Sequence, residues 1–374
     1  LERIEKKSSD FLLVLLLVLL VGIGISMLYS ASYYRAEVLD KGPFYFFYKQ
    51  LLWVVLGAIL AFIASCTPMD FIRKLIPYFV TLSFILILLT FIPGIGEEIK
   101  GSRRWIFLFN FSFQPSELAK VTIILYLASY FSKKERNLND FLHSFLPFFI
   151  IISVFVGLIL LQNDFSTALF IFIIAILMSF IARLPLYYYL FLFIVVAPLS
   201  IIFLFIKEHR VWRLIYFFFP QFAPEDVGYQ VIQSKLALIN GGLWGKGLGM
   251  GVKKLGVLPE AHSDFIFAVV GEEMGFIGFI FILILFTIFA YRGYMIALRI
   301  KDNFMYYLAF GITTSIFLQA LLNMAVVSGL LPATGIPLPF FSAGGSSLLM
   351  SLFMVGLLVN ISKEVESRKD YLDV

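Results

Sequence analysis

Sixty consecutive residues, 303–362, contain no charged side chain. A bilayer-spanning helix needs about 20 apolar residues, so this stretch is too long for one crossing. Its middle, Ser328 to Ser347, is rich in Gly, Pro and Ser, which break helices. Broken backbone at membrane depth is tolerated only where protein buries it or where it lines a wet cavity. The segment is therefore expected to be an outward loop or re-entrant element between two spans. Phe11 to Ser30 is a second charge-free run. Basic residues precede it and Ser30-Ala31-Ser32 resembles a cleavage site, but its length and the spans that follow favour a transmembrane helix over a signal peptide.

Composition agrees. Apolar types make up 61% of the 374 residues and charged types 14%, against about half and about a quarter in soluble domains. Mean hydropathy is +0.95. An ordinary soluble enzyme, a disordered chain and a coiled coil are excluded. What fits is an all-α polytopic membrane protein with about ten transmembrane helices, near 11–30, 49–66, 75–92, 107–131, 143–161, 166–182, 187–206, 265–291, 305–327 and 346–361. A large extracytoplasmic loop, about 207–264, separates helices 7 and 8. No internal repeat is evident, so residues 1–374 read as a single integral membrane domain. Leu1 is not Met, which leaves the native start open.

An even number of spans puts both termini on one side, and Lys/Arg bias identifies it. Fifteen basic residues fall on the terminal side: Arg3, Lys6, Lys7, Arg73, Lys74, Lys133, Lys134, Arg136, Arg183, Arg292, Arg299, Lys301, Lys363, Arg368 and Lys369. Six fall on the short loops opposite: Arg35, Lys41, Lys49, Lys100, Arg103 and Arg104. The termini are thus expected in the cytoplasm. The net charge of +5 reflects such loops and not a nucleic-acid partner.

Polar groups that a membrane should exclude mark the candidate site. Glu117 and Lys120 lie three apart in the fourth span, hence on one helix face. Such a pair either fixes helix packing or walls a cavity for an anion or metal. Arg103-Arg104-Trp105 reads as an interfacial anchor or as a fork for phosphate or pyrophosphate. Asp164 closes a very short outer turn and reads as a turn residue or helix cap. The run Gly241–Gly251 (GGLWGKGLGMG) around Lys246 is neither a Walker A loop nor a dinucleotide fingerprint. Its backbone N–H groups suit an anion, or the run is simply a loop fitted against the helices. His262 and Asp264 stand where the long loop re-enters the membrane, with Glu272 and Glu273 about two turns deeper. A partly desolvated carboxylate there suits general-base work. A His-x-Asp pair can also bind a divalent cation, Mg or Mn. Three histidines (His143, His209, His262) are too few for a zinc site, and one cysteine, Cys66, excludes an internal disulfide.

GSRRWI, QPSE followed by Lys120, QNDFSTA, GYQ with the glycine run, LPEAHSDFIFAVVGEE and PATGIPLPFFSAGGSSLL stand in this order. As a set they resemble the SEDS family (shape, elongation, division and sporulation), which includes FtsW, RodA and SpoVE, over essentially all ten spans. Ala261 and the Arg103-Arg104 pair lean to the FtsW/SpoVE branch over RodA. Asn163 and Ser166 stand where the family usually has Pro and Gly, and Ala343 where Tyr is usual. The resemblance implies a peptidoglycan glycosyltransferase that polymerises lipid II outside the cytoplasmic membrane beside a class B penicillin-binding protein and other divisome or elongasome proteins. It carries the family's essential loop acid onto Asp264, its fourth-span pair onto Glu117 and Lys120, and its turn aspartate onto Asp164. The expected set is Asp264 as catalytic residue, with Arg103, Arg104, Gln114, Glu117, Lys120, Asp164, Lys246, His262, Ser342 and Ser346 binding substrate. No cofactor beyond a divalent cation suggests itself. A lipid II flippase and a non-catalytic scaffold are the rival readings. The gathering of polar motifs on the outer side favours the enzyme.

Overall fold

The computed structural model describes residues 10–99, 101–108, 111–134, 138–205, 208–219 and 227–369. Arg3, Lys6, Lys7, Lys100, Arg136 and part of the long loop, including Lys207, lie outside them. The chain is helical almost throughout. In order come α1 (Phe11–Val38), α2 (Tyr45–Cys66), α3 (Met69–Leu89) and α4 (Pro115–Lys134). A π turn at Phe141–Phe145 leads into α5 (Leu146–Leu161), then α6 (Phe165–Ile181) and α7 (Leu186–Phe205). Next are α8 (Glu208–Phe218), α9 (Val227–Gly241), α10 (Ile266–Arg299), α11 (Asn303–Val327) and α12 (Gly345–Lys369).

Among the described residues, eight helices are long and apolar enough to cross a membrane: α1, α2, α3, the π turn with α5, α7, α10, α11 and α12. The expected tenfold count needs two more. One is α6, apolar but shorter; the other is α4, which carries the Glu117–Lys120 pair. Three helices start at an aspartate whose carboxylate accepts an otherwise unpaired first-turn N–H: Asp10 from Leu13 at 3.1 Å, Asp164 from Thr167 at 3.3 Å and Asp302 from Met305 at 2.9 Å. A short polar acceptor just before an apolar run is a strong helix start.

Two expectations need correction. Residues 107–113 do not begin the fourth span. Of these, 107–108 and 111–113 belong to a three-stranded antiparallel sheet of order β1 (Gly96–Ile99), β2 (Ser102–Leu108) and β3 (Phe111–Phe113). Ile106 pairs with both Gly96 and Phe113. The physical reason is Pro115, which disfavours helical backbone at the residue before it and serves well as a first helical position. The long loop is also not wholly irregular, because α8 and α9 form within it.

The core surrounds α4, which packs against α3, α6 and α11 and buries most of its side chains, Glu117 and Lys120 included. Around it, α12 lies along α2, and α10 lies between α11, α9 and α1. At one end Arg292 Nη2 donates to Asp10 Oδ2 at 2.6 Å, and Arg73 pairs with Asp302. Asp302 lies between α10 and α11. Burial pushes its carboxyl up, but bonds from Arg73, the Met305 amide and the Phe304 amide outweigh this and hold it below its ordinary value.

Candidate active site

The described contacts sort the expected residues into three groups. The first surrounds Asp264. This residue sits immediately before α10 and is half-buried. A tight turn precedes it: Ser263 N and Phe265 N both donate to Glu260 O, at 3.0 and 3.2 Å. Asp264 O accepts from Asn323 Nδ2 at 2.8 Å. Its side chain faces Gly335, where an added Cβ would stand 3.4 Å from Asp264 Oδ2. Gly335 has φ +72°, a conformation other residues resist.

The segment between α11 and α12 closes over this turn. Ser342 Oγ donates to Ser263 O at 2.7 Å and accepts from Leu338 N at 2.8 Å. Ala343 N donates to His262 O at 2.9 Å, and Gln50 Nε2 of α2 donates to Ser342 O at 3.2 Å. The His262 ring lies 4.9 Å from that of Phe46. The Ala343 contact uses backbone only, so the departure from the family's Tyr leaves it intact. Ser346 is buried in the first turn of α12.

Glu117 and Lys120 join the same group from below. Lys120 Nζ lies 2.8 Å from Glu117 Oε2, donates to Gln319 Oε1 at 3.1 Å and stands 5.4 Å from the centre of the Phe170 ring. Gln319 Nε2 in turn donates to Pro337 O at 2.9 Å.

The second group centres on Asp164, which is 2% exposed. Besides capping α6 it accepts from Gln114 Nε2 at 3.1 Å and pairs with Arg104 at 3.5 Å. The cap reading of the turn therefore holds structurally. Arg103 is exposed, its Nε donating to Glu98 Oε2 at 3.0 Å, while its N–H bonds Gln162 O at 3.2 Å. Asn163 has φ +62° and donates to Gly101 O at 3.0 Å. Proline cannot adopt that φ, so the departure at this position matches the turn that forms.

The third group explains the glycine run. Lys246 N and Gly247 N both donate, at 3.0 Å, to the carbonyls of Glu272 and Glu273, where α10 kinks at Gly275. A Cβ on Gly245 would meet Glu273 O at 2.2 Å. The glycines thus permit backbone to press on backbone. Both glutamates are buried and held. Glu272 pairs with Lys246 at 3.5 Å and accepts from Lys253 N at 3.0 Å. Glu273 pairs with Lys254 at 2.6 Å and accepts from Gly249 N at 2.9 Å and from Ser30 of α1 at 2.7 Å.

Sequence reasoning missed Gln50, Gln319, Asn323, Lys254 and the role of Ser30. A signal existed for two of them: Gln319 and Asn323 are amides four apart in a charge-free span, hence on one face. Among the described residues, no three His, Cys, Asp or Glu side chains gather as metal ligands. His262 and Asp264 together offer one imidazole and one carboxylate, and a Mg ion at such a site would be completed by waters and substrate phosphates.

The chain can now be set beside known proteins. The FtsW/RodA/SpoVE family model, described as "Cell cycle protein", matches residues 10–367. A protein of Geobacter sp. named "Probable peptidoglycan glycosyltransferase FtsW" is 43% identical, covering 96% of this chain and 98% of that one. "Stage V sporulation protein E" of Bacillus subtilis is 38% identical, covering 96% and 98%. A chain of the solved structure described as "Structural coordination of polymerization and crosslinking by a peptidoglycan synthase complex" matches with a TM-score of 0.77 at 26% identity, covering 96% and 98%. The rod shape determining protein RodA of Thermus thermophilus matches at 0.68 and 26%, covering 96% and 97%. With its apolar helices, its ordered motifs and a family match from Asp10 to within a few residues of its end, the chain belongs to the FtsW/RodA/SpoVE family of cell cycle proteins.

Proposed function

We propose that this chain is a peptidoglycan glycosyltransferase that polymerises lipid II on the outer face of the cytoplasmic membrane, with Asp264 as general base. One observation carries the reading. A half-buried carboxylate stands at the re-entry of the long loop, on a turn tied down by α11 and by the segment before α12. The names of the FtsW relatives support the reaction class. The FtsW relatives also favour a role in division over elongation.

In the proposed step the acceptor's 4-hydroxyl attacks the anomeric carbon of the donor. Its proton passes to Asp264. The bond from that carbon to the pyrophosphate oxygen breaks, and the electron pair leaves on the pyrophosphate. A single displacement inverts an α-linked donor to a β-linked strand. Pyrophosphate is already a good leaving group, so a second carboxylic acid is less needed than in glycoside hydrolysis. Arg103 and Arg104 supply positive charge near the outer surface for the developing anion.

The proposed topology has ten crossings, cytoplasmic termini and an external long loop, following the Lys/Arg bias. The partner is a class B penicillin-binding protein that cross-links the strands. The solved complex with which the fold aligns supports this.

The test is glycan polymerisation from purified lipid II by the complex with its penicillin-binding partner, whose transpeptidase site is blocked. Wild type should give glycan ladders, and an intact Asp264→Ala complex should give none. Equal ladders remove Asp264 from catalysis. Absence of ladders from both, in intact complexes, transfers the weight to the flippase or scaffold.

A further inference from the structure

Residues 332–338 carry no regular secondary structure, and Pro332 and Pro337 have no N–H to donate. Their carbonyls still need partners, because unpaired backbone at membrane depth is costly. Two of these carbonyls are taken by α11. Gln319 Nε2 donates to Pro337 O and Asn323 Nδ2 to Ile336 O, each at 2.9 Å. The two amides stand one turn apart on a single face of α11.

Each amide has a second bond, and those bonds lead to opposite ends of the site. Asn323 Nδ2 gives its other hydrogen to Asp264 O at 2.8 Å. Gln319 Oε1 accepts from Lys120, which is held by Glu117. A continuous path therefore runs from Glu117 through Lys120, Gln319, Pro337, Ile336 and Asn323 to Asp264. Every link is a hydrogen bond, an ion pair or a peptide bond within this chain.

The surroundings of Lys120 oppose direct contact with a bulky anion. Its side chain is 5% exposed and already has a carboxylate, an amide oxygen and an aromatic face. No water fits beside it. The pair is thus well placed to orient protein groups and badly placed to grip a pyrophosphate.

We propose that Gln319 and Asn323 are positioning residues for Asp264, and that Glu117 and Lys120 act on the reaction only through them. The inference rests on Asp264 being the general base. The path sets where the Asp264 turn and the Gly335 face meet, and hence where the carboxylate stands relative to the acceptor hydroxyl.

The test uses the complex with its penicillin-binding partner and purified lipid II. It compares Lys120→Met, Gln319→Leu and the double variant, together with Asn323→Ala. Each single change is expected to lower kcat on the order of 10²-fold, as for a small misplacement of a reacting group. KM for lipid II should stay unchanged, and the double variant should be no slower than the slower single. Asn323→Ala should also shift the acid limb of the kcat/KM profile, which reports the base in the free enzyme. Multiplying losses, or a raised KM in Lys120→Met alone, would mean that Lys120 touches substrate and would overturn the proposal. Thermal unfolding and co-purification identify the variants that fold. If Gln319→Leu does not fold, Asn323→Ser carries the test through the pH profile, and an unmoved acid limb overturns the inference. A wild-type complex that makes no glycan removes the proposed function and this inference with it. Wild-type polymer with multiplying losses removes this inference alone.

Discussion

Asp264 and the Glu272–Glu273 pair lie on one short stretch of chain and meet opposite fates. The two glutamates are fully buried, and each carboxylate is held by a lysine and a backbone N–H. Asp264 is half-buried, and the bond from Asn323 fastens its backbone carbonyl. Fixing the main chain sets where the carboxylate stands, beside Gly335. Proximity in sequence therefore says little about surroundings: the two glutamates join α1, α10 and the glycine run, and Asp264 faces Gly335.

The sharpest way to break this contrast is a pair of isosteric changes. Asp264→Asn should abolish polymerisation, a loss of about 10²–10⁴-fold for a general base, with little change in thermal unfolding. Glu273→Gln should do the reverse. It strands the buried Lys254 ammonium, and breaking a buried pair costs about 3–5 kcal/mol. Melting temperature in detergent should fall steeply, while the activity of the folded fraction persists. A Glu273→Gln protein with wild-type melting and no activity would end the distinction.

A smaller effect separates two glycines. Gly245→Ala places a Cβ 2.2 Å from Glu273 O at φ +81°, so it should cost at least the 1–3 kcal/mol typical of a strained backbone. Gly335→Ala has room, with its nearest atom the Asp264 carboxylate oxygen at 3.4 Å. It should cost the roughly 1–3 kcal/mol of left-handed backbone without the added clash of Gly245, and lower kcat. Melting curves and initial rates on the two variants decide it; matching rate losses would undo the assignment of the glycine run to structure.

The smallest effect is a pH dependence far from both groups. The Asp302 carboxyl is held below its ordinary value. Its contribution is present above the unfolded carboxylate range, near pH 4, and is lost as pH falls through the lower folded value. The pair with Arg73 is over a third exposed, so screening limits it to about 1 kcal/mol or less. Asp302→Asn, which can still cap α11, should flatten this part of the melting-temperature profile between pH 6 and 3. An unchanged profile would deny the pair any role.

Much of this molecule is legible along the chain. Charge-free runs of sufficient length can only be satisfied as helices in a bilayer, so most helices follow from hydropathy. Asp10, Asp164 and Asp302 mark helix starts because capping is local. The motif order identifies the family. Elsewhere local patterning misleads. Phe107 and Phe113 are apolar enough for a span, but pairing with Ser112 and Ile106 in a local sheet, and Pro115 after it, decide against it. The glycine run has the composition of an anion loop, yet it fits against a kinked helix whose kink lies at Gly275.

Sequence alone determined that this is a polytopic helical membrane protein and which ends its helices begin from. These depend on transfer free energy and on neighbours a few residues apart. Tertiary structure alone decided what each buried polar group holds. Lys120 meets Gln319 across 199 residues, Asn323 meets Asp264 across 59, and Ser30 meets Glu273 across 243. A buried donor must find an acceptor wherever packing brings one within about 3 Å, and no local rule along the chain says which one that will be.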